Sequence, residues 1–335
     1  MSLTGALILL ASLVVSTAIL LIVVALVWYL DRYDREPLHM VAAVFLWGAS
    51  AAPAIAAFAL VVFERWSAGS SGGLSPLVFS GIAAPLVEES AKAIGVVLIV
   101  LLTRNFDNPT DGIVYGAAVG LGFAVTENFI YCTGVGSTMG LRDFLTLAVG
   151  RTFFAAGVHG LASATFGGFL GFAVLTRKRW QRAAWTGVGL LAACVLHGGW
   201  NTALILVGPF APGGGPRTWL VILPGLYACY VLVFAAFLHS EHRILKRQLG
   251  DEVALSMAPA WVVDVIPYYR RRLRSDWWPL RNERTVISRL LTRIAFRKHA
   301  LRHTPQDEVA IASLEVVRLR QRIRAILNPE RPEEG

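Results

Sequence analysis

The run LTGALILLASLVVSTAILLIVVALVWYL, Leu3–Leu30, carries no charged side chain along its whole length. A helix rises about 1.5 Å per residue, so roughly 20 consecutive apolar residues cross the hydrocarbon core of a bilayer. This run exceeds that. It lacks a basic leader, and it is longer than the roughly 7–15 apolar residues of a secretory signal. It reads as a first membrane span, and that reading decides the class of the chain.

Working outward, the loop DRYDREP, Asp31–Pro37, is followed by a second apolar run from Met40 to Phe63 and a Gly/Ser-rich loop, SAGSSGG. Further runs cover Pro76 to Leu102, Gly112 to Thr133, Phe144 to Leu175, Ala184 to Val207 and Trp219 to Leu238. A basic loop, RKRWQR, precedes the sixth run, and a Pro/Gly loop, GPFAPGGGP, precedes the seventh. Composition agrees: 55% of the 335 residues are hydrophobic, only 16% are charged, and mean hydropathy is +0.57. A soluble domain carries about a quarter charged residues. The fold expected is all-α, a polytopic bundle of about seven spans over residues 1–240, with a basic, partly helical cytoplasmic tail over 241–335.

The three cysteines, Cys132, Cys194 and Cys229, all lie in apolar runs and form neither a disulfide framework nor a zinc-knuckle spacing. The net charge of +9 is concentrated in the tail, where 19 of the 31 Lys and Arg lie after residue 238 beside 12 of the 22 acids. Basic segments beside a span face anionic lipid of the cytoplasmic leaflet, so the partner expected is the bilayer and not nucleic acid. The loops after spans one, three and five hold Arg32, Arg35, Arg104, Arg177, Lys178, Arg179 and Arg182. Those after spans two, four and six hold only Arg65, Arg142 and Arg217. Cytoplasmic loops are enriched in Lys and Arg. The chain is therefore expected in the cell membrane with its N-terminus outside and its tail in the cytoplasm. In the tail, Thr304, Pro305, Gln306 and Asp307 read as a helix start. Val309, Ala312, Val316, Leu319 and Ile323 then share one helical face.

Ionisable groups inside spans cost about 2.5–3.5 kcal/mol each on insertion scales and mark function by default. Here Glu88, Glu89, Lys92, Glu127, His159 and His197 all fall inside runs, with Arg151 near one end. Glu88 and Lys92 are four residues apart and Glu89 and Lys92 three apart, so both carboxylates lie beside the ammonium on a helix. Two adjacent carboxylates resist ionising together, and one left outside the ion pair suits a general base. His197 and Asn201 in HGGWN share a face and form a donor pair for a developing oxyanion. One Glu and two His also make a catalytic zinc set, with Glu127, His159 and His197 as ligands. No HExxH helix is present, so a soluble-type zinc protease is not indicated.

Together these residues resemble the PrsW family of intramembrane proteases, within the wider group of CAAX-processing and bacteriocin-processing membrane proteases. EESAK, Glu88–Lys92, is similar to the family's EExxK motif. FAVTE, Phe123–Glu127, is similar to its FxxxE motif. His159 stands at the third-motif histidine, HGGWN resembles the HxxxN motif, and DRYDREP resembles the acidic loop after the first helix. The resemblance implies an endopeptidase that cuts membrane-anchored proteins, as in site-1 cleavage of an anti-sigma factor. It leaves open whether Zn2+ is required or glutamates suffice. Glu88 or Glu89 then activates water with Lys92 orienting the pair, His197 and Asn201 stabilise the intermediate, and Glu127 and His159 complete the site. A non-catalytic scaffold or chaperone of the same fold is the alternative. A transporter is disfavoured because the two halves show no internal repeat.

Overall fold

A computed structural model describes residues 3–31, 33, 35–71, 73–103, 106, 108–134, 140–176, 178–207, 216–301 and 306–327. Within its helices, the side chains of residues 3, 4, 70, 71, 207, 216–223, 226, 229, 306–308, 311 and 312 lie outside the description. Among the described residues every regular element is helical. That is the outcome expected where lipid offers the backbone no hydrogen bonds. The membrane part comprises α1 (Leu3–Leu30), α2 (Leu38–Ala49), α3 (Ala51–Ser71), α4 (Pro76–Val78), a π-helical turn at Phe79–Ala83 running into α5 (Ala84–Leu102), α6 (Pro109–Gly134), α7 (Leu141–Gly150), a second π-helical turn at Arg151–Ala155 running into α8 (Ala156–Val174), α9 (Arg179–Val207) and α10 (Pro216–Ala254).

All seven apolar runs fall on these rods, and the chain is a multi-pass membrane protein. Five rods among the described residues are long and apolar enough to cross a bilayer by length and composition: Gly5–Leu30, Leu38–Gly69, Pro109–Gly134, Leu141–Val174 and Arg179–Leu206. The rod from Pro76 to Leu102 is long enough, but it carries Glu88, Glu89 and Lys92 together near its middle. The SAGSSGG stretch, read as a loop, is instead helical through Ser71. Extending a formed helix adds one hydrogen bond per residue fixed, whereas starting one is costly, so α3 propagates into residues of poor propensity.

At the centre stands α6. In its most apolar stretch 72% is buried, against 11% in α1. Gly112, Gly116 and Gly120 recur every four residues, and a Cβ on any of them would overlap the backbone of α8 at Gly167, Ser163 and His159 respectively. On another face Gly122 abuts the carbonyl of Phe45, and Gly48 of α2 abuts that of Val119. Such small residues let helix backbones approach closely in lipid. The stripe thus brings α8, and with it His159 and Ser163, directly onto α6.

Two prolines shape the rods around this centre. Pro53 cannot donate to the carbonyl of Ala49, four residues back. The rod breaks at Ser50, between α2 and α3, and Thr126 Oγ1 of α6 donates to the orphaned Ala49 oxygen at 2.5 Å. Pro85 likewise cannot donate to Gly81, and the turn there widens into the π-helix at Phe79–Ala83. Gly198 of α9 packs against the Gly81 carbonyl so closely that a Cβ would overlap it.

The tail adds α11 (Trp261–Val265), α12 (Tyr269–Arg272), α13 (Arg281–Leu301) and α14 (Gln306–Leu327). Leu245 and Leu249 of α10 join Ile266, Ile287, Leu291, Ile294 and Ile323 in a second apolar core. Val316, Leu319 and Ile323 of the expected face are buried. The side chain of Ala312, and the Thr304–Pro305 helix start, lie outside the described residues, as do Arg32, Arg104 and Arg177. The boundary expected at residue 240 falls inside α10, which continues unbroken to Ala254. Glu252, 2% exposed, receives a two-bond fork from Arg320 (2.8 and 2.7 Å) and the Lys298 ammonium at 2.6 Å. Burial pushes its carboxyl up, but these hydrogen bonds outweigh burial and hold the group below the usual carboxylate range. The DRYDREP loop ties the two parts together: Arg35 donates to the Tyr269 hydroxyl at 2.9 Å, and Glu36 accepts from Tyr115 of α6 at 2.5 Å.

Candidate active site and metal centre

A cavity of about 950 Å³ opens between α3, α5, α6, α7, α8 and α9. Its walls are mostly apolar, with Pro53, Ala56, Phe79, Phe154 and Trp200 among them. Glu88, Glu127, Arg151, His159 and Asn201 supply its carboxylate, guanidinium, imidazole and amide groups. Both π-helical turns border it, through Phe79 and Ser80 on one side and Arg151, Phe154 and Ala155 on the other. Such widened turns recur at functional sites because they re-aim side chains and leave carbonyls to be satisfied from elsewhere. Here Asn201 Nδ2 donates to the Ser80 carbonyl at 3.0 Å.

The two adjacent glutamates of α5 part company. Residues i and i+1 point to different sides of a helix, so only one of them reaches the cavity. Glu89, 2% exposed, is fully engaged behind the wall. Its Oε1 accepts from Lys92 Nζ at 2.7 Å and from His197 Nδ1 at 2.9 Å, and its Oε2 accepts from Ser163 Oγ at 2.9 Å. Glu88 lines the cavity. Its Oε2 is buried and has no hydrogen-bond partner among the described residues. The cationic nitrogen of Lys92 is 3.9 Å away, and His197 Nε2 is 3.8 Å away. Lys92 thus stands beside both carboxylates, as the spacing required, but grips Glu89.

Lys92 is 0% exposed and is boxed in on four sides. Besides the glutamates, its ammonium meets His159 Nδ1 at 2.9 Å and lies 4.0 Å from the centre of the Phe123 ring. A cation over an aromatic face is attracted by the ring's quadrupole, which gives the Phe of FAVTE its place. These contacts also fix both imidazole tautomers. An ammonium can only donate, so His159 accepts at Nδ1 and carries its proton at Nε2. That nitrogen lies 2.5 Å from Glu127 Oε2. A carboxylate can only accept, so His197 carries its proton at Nδ1, toward Glu89, and keeps the lone pair of Nε2 on the Glu88 side. The two rings meet edge to face, 4.6 Å between centroids.

All seven residues singled out in the sequence therefore gather in one place, on α5, α6, α8 and α9. Glu88, Glu127, His159 and Asn201 form the surface; Glu89, Lys92 and His197 support it from behind. The donor set differs from the one expected. Ligand atoms of Glu88, His159 and His197 all lie within 4.8 Å of one another. Glu127 instead pairs with His159 and with Arg151 Nη2 at 3.0 Å. Three residues escaped the sequence reading: Ser163, Asn128 and Ser16. Single hydroxyl and amide side chains are tolerated in spans, so nothing in composition or spacing distinguishes them.

The donor set fits a divalent metal ion. Glu88 offers an oxygen without a hydrogen-bond partner, and His197 offers Nε2 while its Nδ1 proton is held by a carboxylate. The carboxylate–histidine pairing is the support that metal-ligating imidazoles ordinarily have. His159 has both ring nitrogens engaged, so it is the member that must give up a contact to bind.

Residues 36–239 match the family model described as PrsW family intramembrane metalloprotease. The chain is 32% identical over 174 residues to Protease PrsW of Bacillus subtilis (strain 168), covering 52% of this chain and 73% of that protein. It is 31% identical over 175 residues to Protease PrsW of Geobacillus kaustophilus (strain HTA426), covering 52% and 71%. With Protease PrsW of Clostridioides difficile (strain 630) it shares 27% identity over 194 residues, covering 56% and 78%. No solved structure matches the chain.

Proposed function

This chain belongs to the PrsW family of intramembrane metalloproteases and is a peptide hydrolase of the membrane, and from that membership we propose that the cavity bordered by Glu88, Glu127, His159 and Asn201 is where it cuts membrane-anchored proteins. The observation that carries the proposal is Glu88 Oε2, a carboxylate oxygen buried in the cavity wall with its hydrogen-bonding capacity unspent. A buried acceptor left unmade costs about 1–3 kcal/mol, a cost that makes sense where water, substrate or an ion completes it.

Glu88, His159 and His197 are the residues that would hold a zinc ion. When bound there, zinc supplies Lewis-acid polarisation of the scissile carbonyl. A carboxylate has two oxygens, so Glu88 can hold an ion with one and accept the proton of an attacking water with the other. Lys92 and Glu89 keep the α5 and α9 sides of the site in register. The Glu127 carboxylate stands in ion-pair range of His159 Nε2 and of Arg151 Nη2. Asn201 spends one amide hydrogen on Ser80 and has a second for the developing oxyanion. The apolar cavity wall suits an unfolded stretch of a membrane-anchored substrate, with a membrane-bound anti-sigma factor as the example the family suggests. The distribution of loop arginines favours an outside N-terminus and a cytoplasmic tail beginning near residue 241, which would face anionic lipid.

Metal removal tests the zinc part of this reading. Purified chain stripped by a chelator, with removal verified by elemental analysis, is expected to lose cleavage of a membrane-anchored reporter in proteoliposomes and to regain it on adding zinc alone. Undiminished cleavage by verified metal-free protein would assign water activation to Glu88 without an ion.

A further inference from the structure

Among the described residues, Arg151 is the one cation on the cavity wall. It opens the second π-helical turn, and its side chain is 12% exposed. An arginine that only neutralised Glu127 would need no fixed orientation. This one is oriented by a hydrogen bond and an aromatic ring, and it stands in ion-pair range of Glu127. Its Nη2 lies 3.0 Å from Glu127 Oε2, its Nε donates to Asn128 Oδ1 at 3.1 Å, and its guanidinium lies 3.8 Å from the centre of the Tyr131 ring.

The grip is itself anchored. Asn128, 1% exposed, donates its Nδ2 to Ser16 Oγ at 3.1 Å, which leaves its oxygen to face Arg151. Thr152, next to Arg151, also reaches Ser16 Oγ at 2.9 Å. Ser16 is a buried polar residue on the rod least buried of the five spans, and it precedes the region matched by the family model. A continuous series of polar contacts therefore runs from α1 through Asn128 and Arg151 to Glu127 and His159.

We propose that Arg151 is a positioning residue for peptide hydrolysis: oriented by Asn128 and Ser16, it fixes the Glu127 carboxylate against Nε2 of His159, so that α1 helps set the geometry of the site. The proposal rests on the reading of the cavity as the active site. Residues that hold and orient first ligands are commonly worth about 10–100-fold in activity.

The test uses the full chain in proteoliposomes with a membrane-anchored reporter, measuring kcat, KM and melting temperature for wild type, Arg151→Gln, Arg151→Lys, Ser16→Ala, Glu127→Gln, the Arg151→Gln/Glu127→Gln double variant and Glu88→Gln. Arg151→Gln is expected to lower kcat by about 10–100-fold, with KM within about twofold of wild type. Arg151→Lys recovers part of the loss. The double variant is no slower than Glu127→Gln alone, because the two residues act as one unit. Ser16→Ala, which removes one hydroxyl and no charge, lowers kcat by about fivefold, the scale of one hydrogen bond. Wild-type kcat in Arg151→Gln or Ser16→Ala, or additive losses in the double variant, overturns the positioning role while an inactive Glu88→Gln leaves the site assignment standing. An active Glu88→Gln overturns both.

Discussion

Replacing Glu88 by Gln is expected to lower cleavage of a membrane-anchored reporter by about 10²–10⁴-fold, the range by which a positioned acid–base group contributes, while the bundle stays folded. The side chain keeps its shape and loses only its charge. Its Oε2 makes no hydrogen bond that the fold depends on, and the helix around it is held by Glu89 and Lys92 instead. Glu89→Gln makes the instructive contrast. That carboxylate accepts from Lys92, His197 and Ser163, so its neutral replacement removes the nearest counter-charge of the ammonium and should lower the melting temperature as well as the rate. Cleavage rates in proteoliposomes, with melting in detergent as the control, separate the two. A Glu88→Gln protein that cuts at the wild-type rate would remove the carboxylate from the chemistry and favour a non-catalytic role for the site.

Lys92→Met is expected to cost about 3–5 kcal/mol of stability, the usual penalty for taking one partner from a buried ion pair. For a bundle of this size that lowers the melting temperature by on the order of 10 °C. The reason is local. Lys92 is 0% exposed, and Glu89 beside it would be left charged, with only His197 and Ser163 to answer it. His159 would also lose the donor that sets its tautomer. Removing both members, as Lys92→Met with Glu89→Met, should restore most of the stability, since an absent pair costs far less than a broken one. Activity should not return, because the supports of His159 and His197 are gone. A single Lys92→Met variant that melts with the wild type would mean that the ammonium is not the keystone of the buried cluster.

Much of this architecture is legible in the sequence, for a physical reason. A residue count of apolar runs is a length measurement against the bilayer, and every run named is helical, the second with a break at Ser50. The charged residues in those runs were legible because lipid makes each one costly, and Glu88, Glu89, Lys92, Glu127, His159 and His197 do converge. Spacing alone placed both glutamates beside Lys92. It could not say which one faces the cavity, because neighbouring residues on a helix are distinguished only by what packs against each side. The same holds for the pairings Lys92–His159 and Glu127–Arg151, which join separate elements of the bundle. For the same reason spacing could not show that Glu88 is the carboxylate grouped with His159 and His197, while Glu127 lies beside Arg151 and His159. The two π-helical turns were equally invisible, although Pro85 is a visible cause of the first.

Water must reach the carboxylates and imidazoles for any of this chemistry to occur, and cysteine labelling measures that directly. Ser80 is near-isosteric with cysteine and lines the cavity, whereas Leu191, 65% exposed on α9, faces outward. In a chain whose three native cysteines are replaced, Ser80→Cys should react with a charged, membrane-impermeant thiosulfonate in proteoliposomes and lose cleavage on modification. Leu191→Cys should resist the reagent and keep its rate. A Ser80→Cys protein that stays unlabelled, or that cuts as before once fully labelled, would contradict a hydrated catalytic cavity at this place in the bundle.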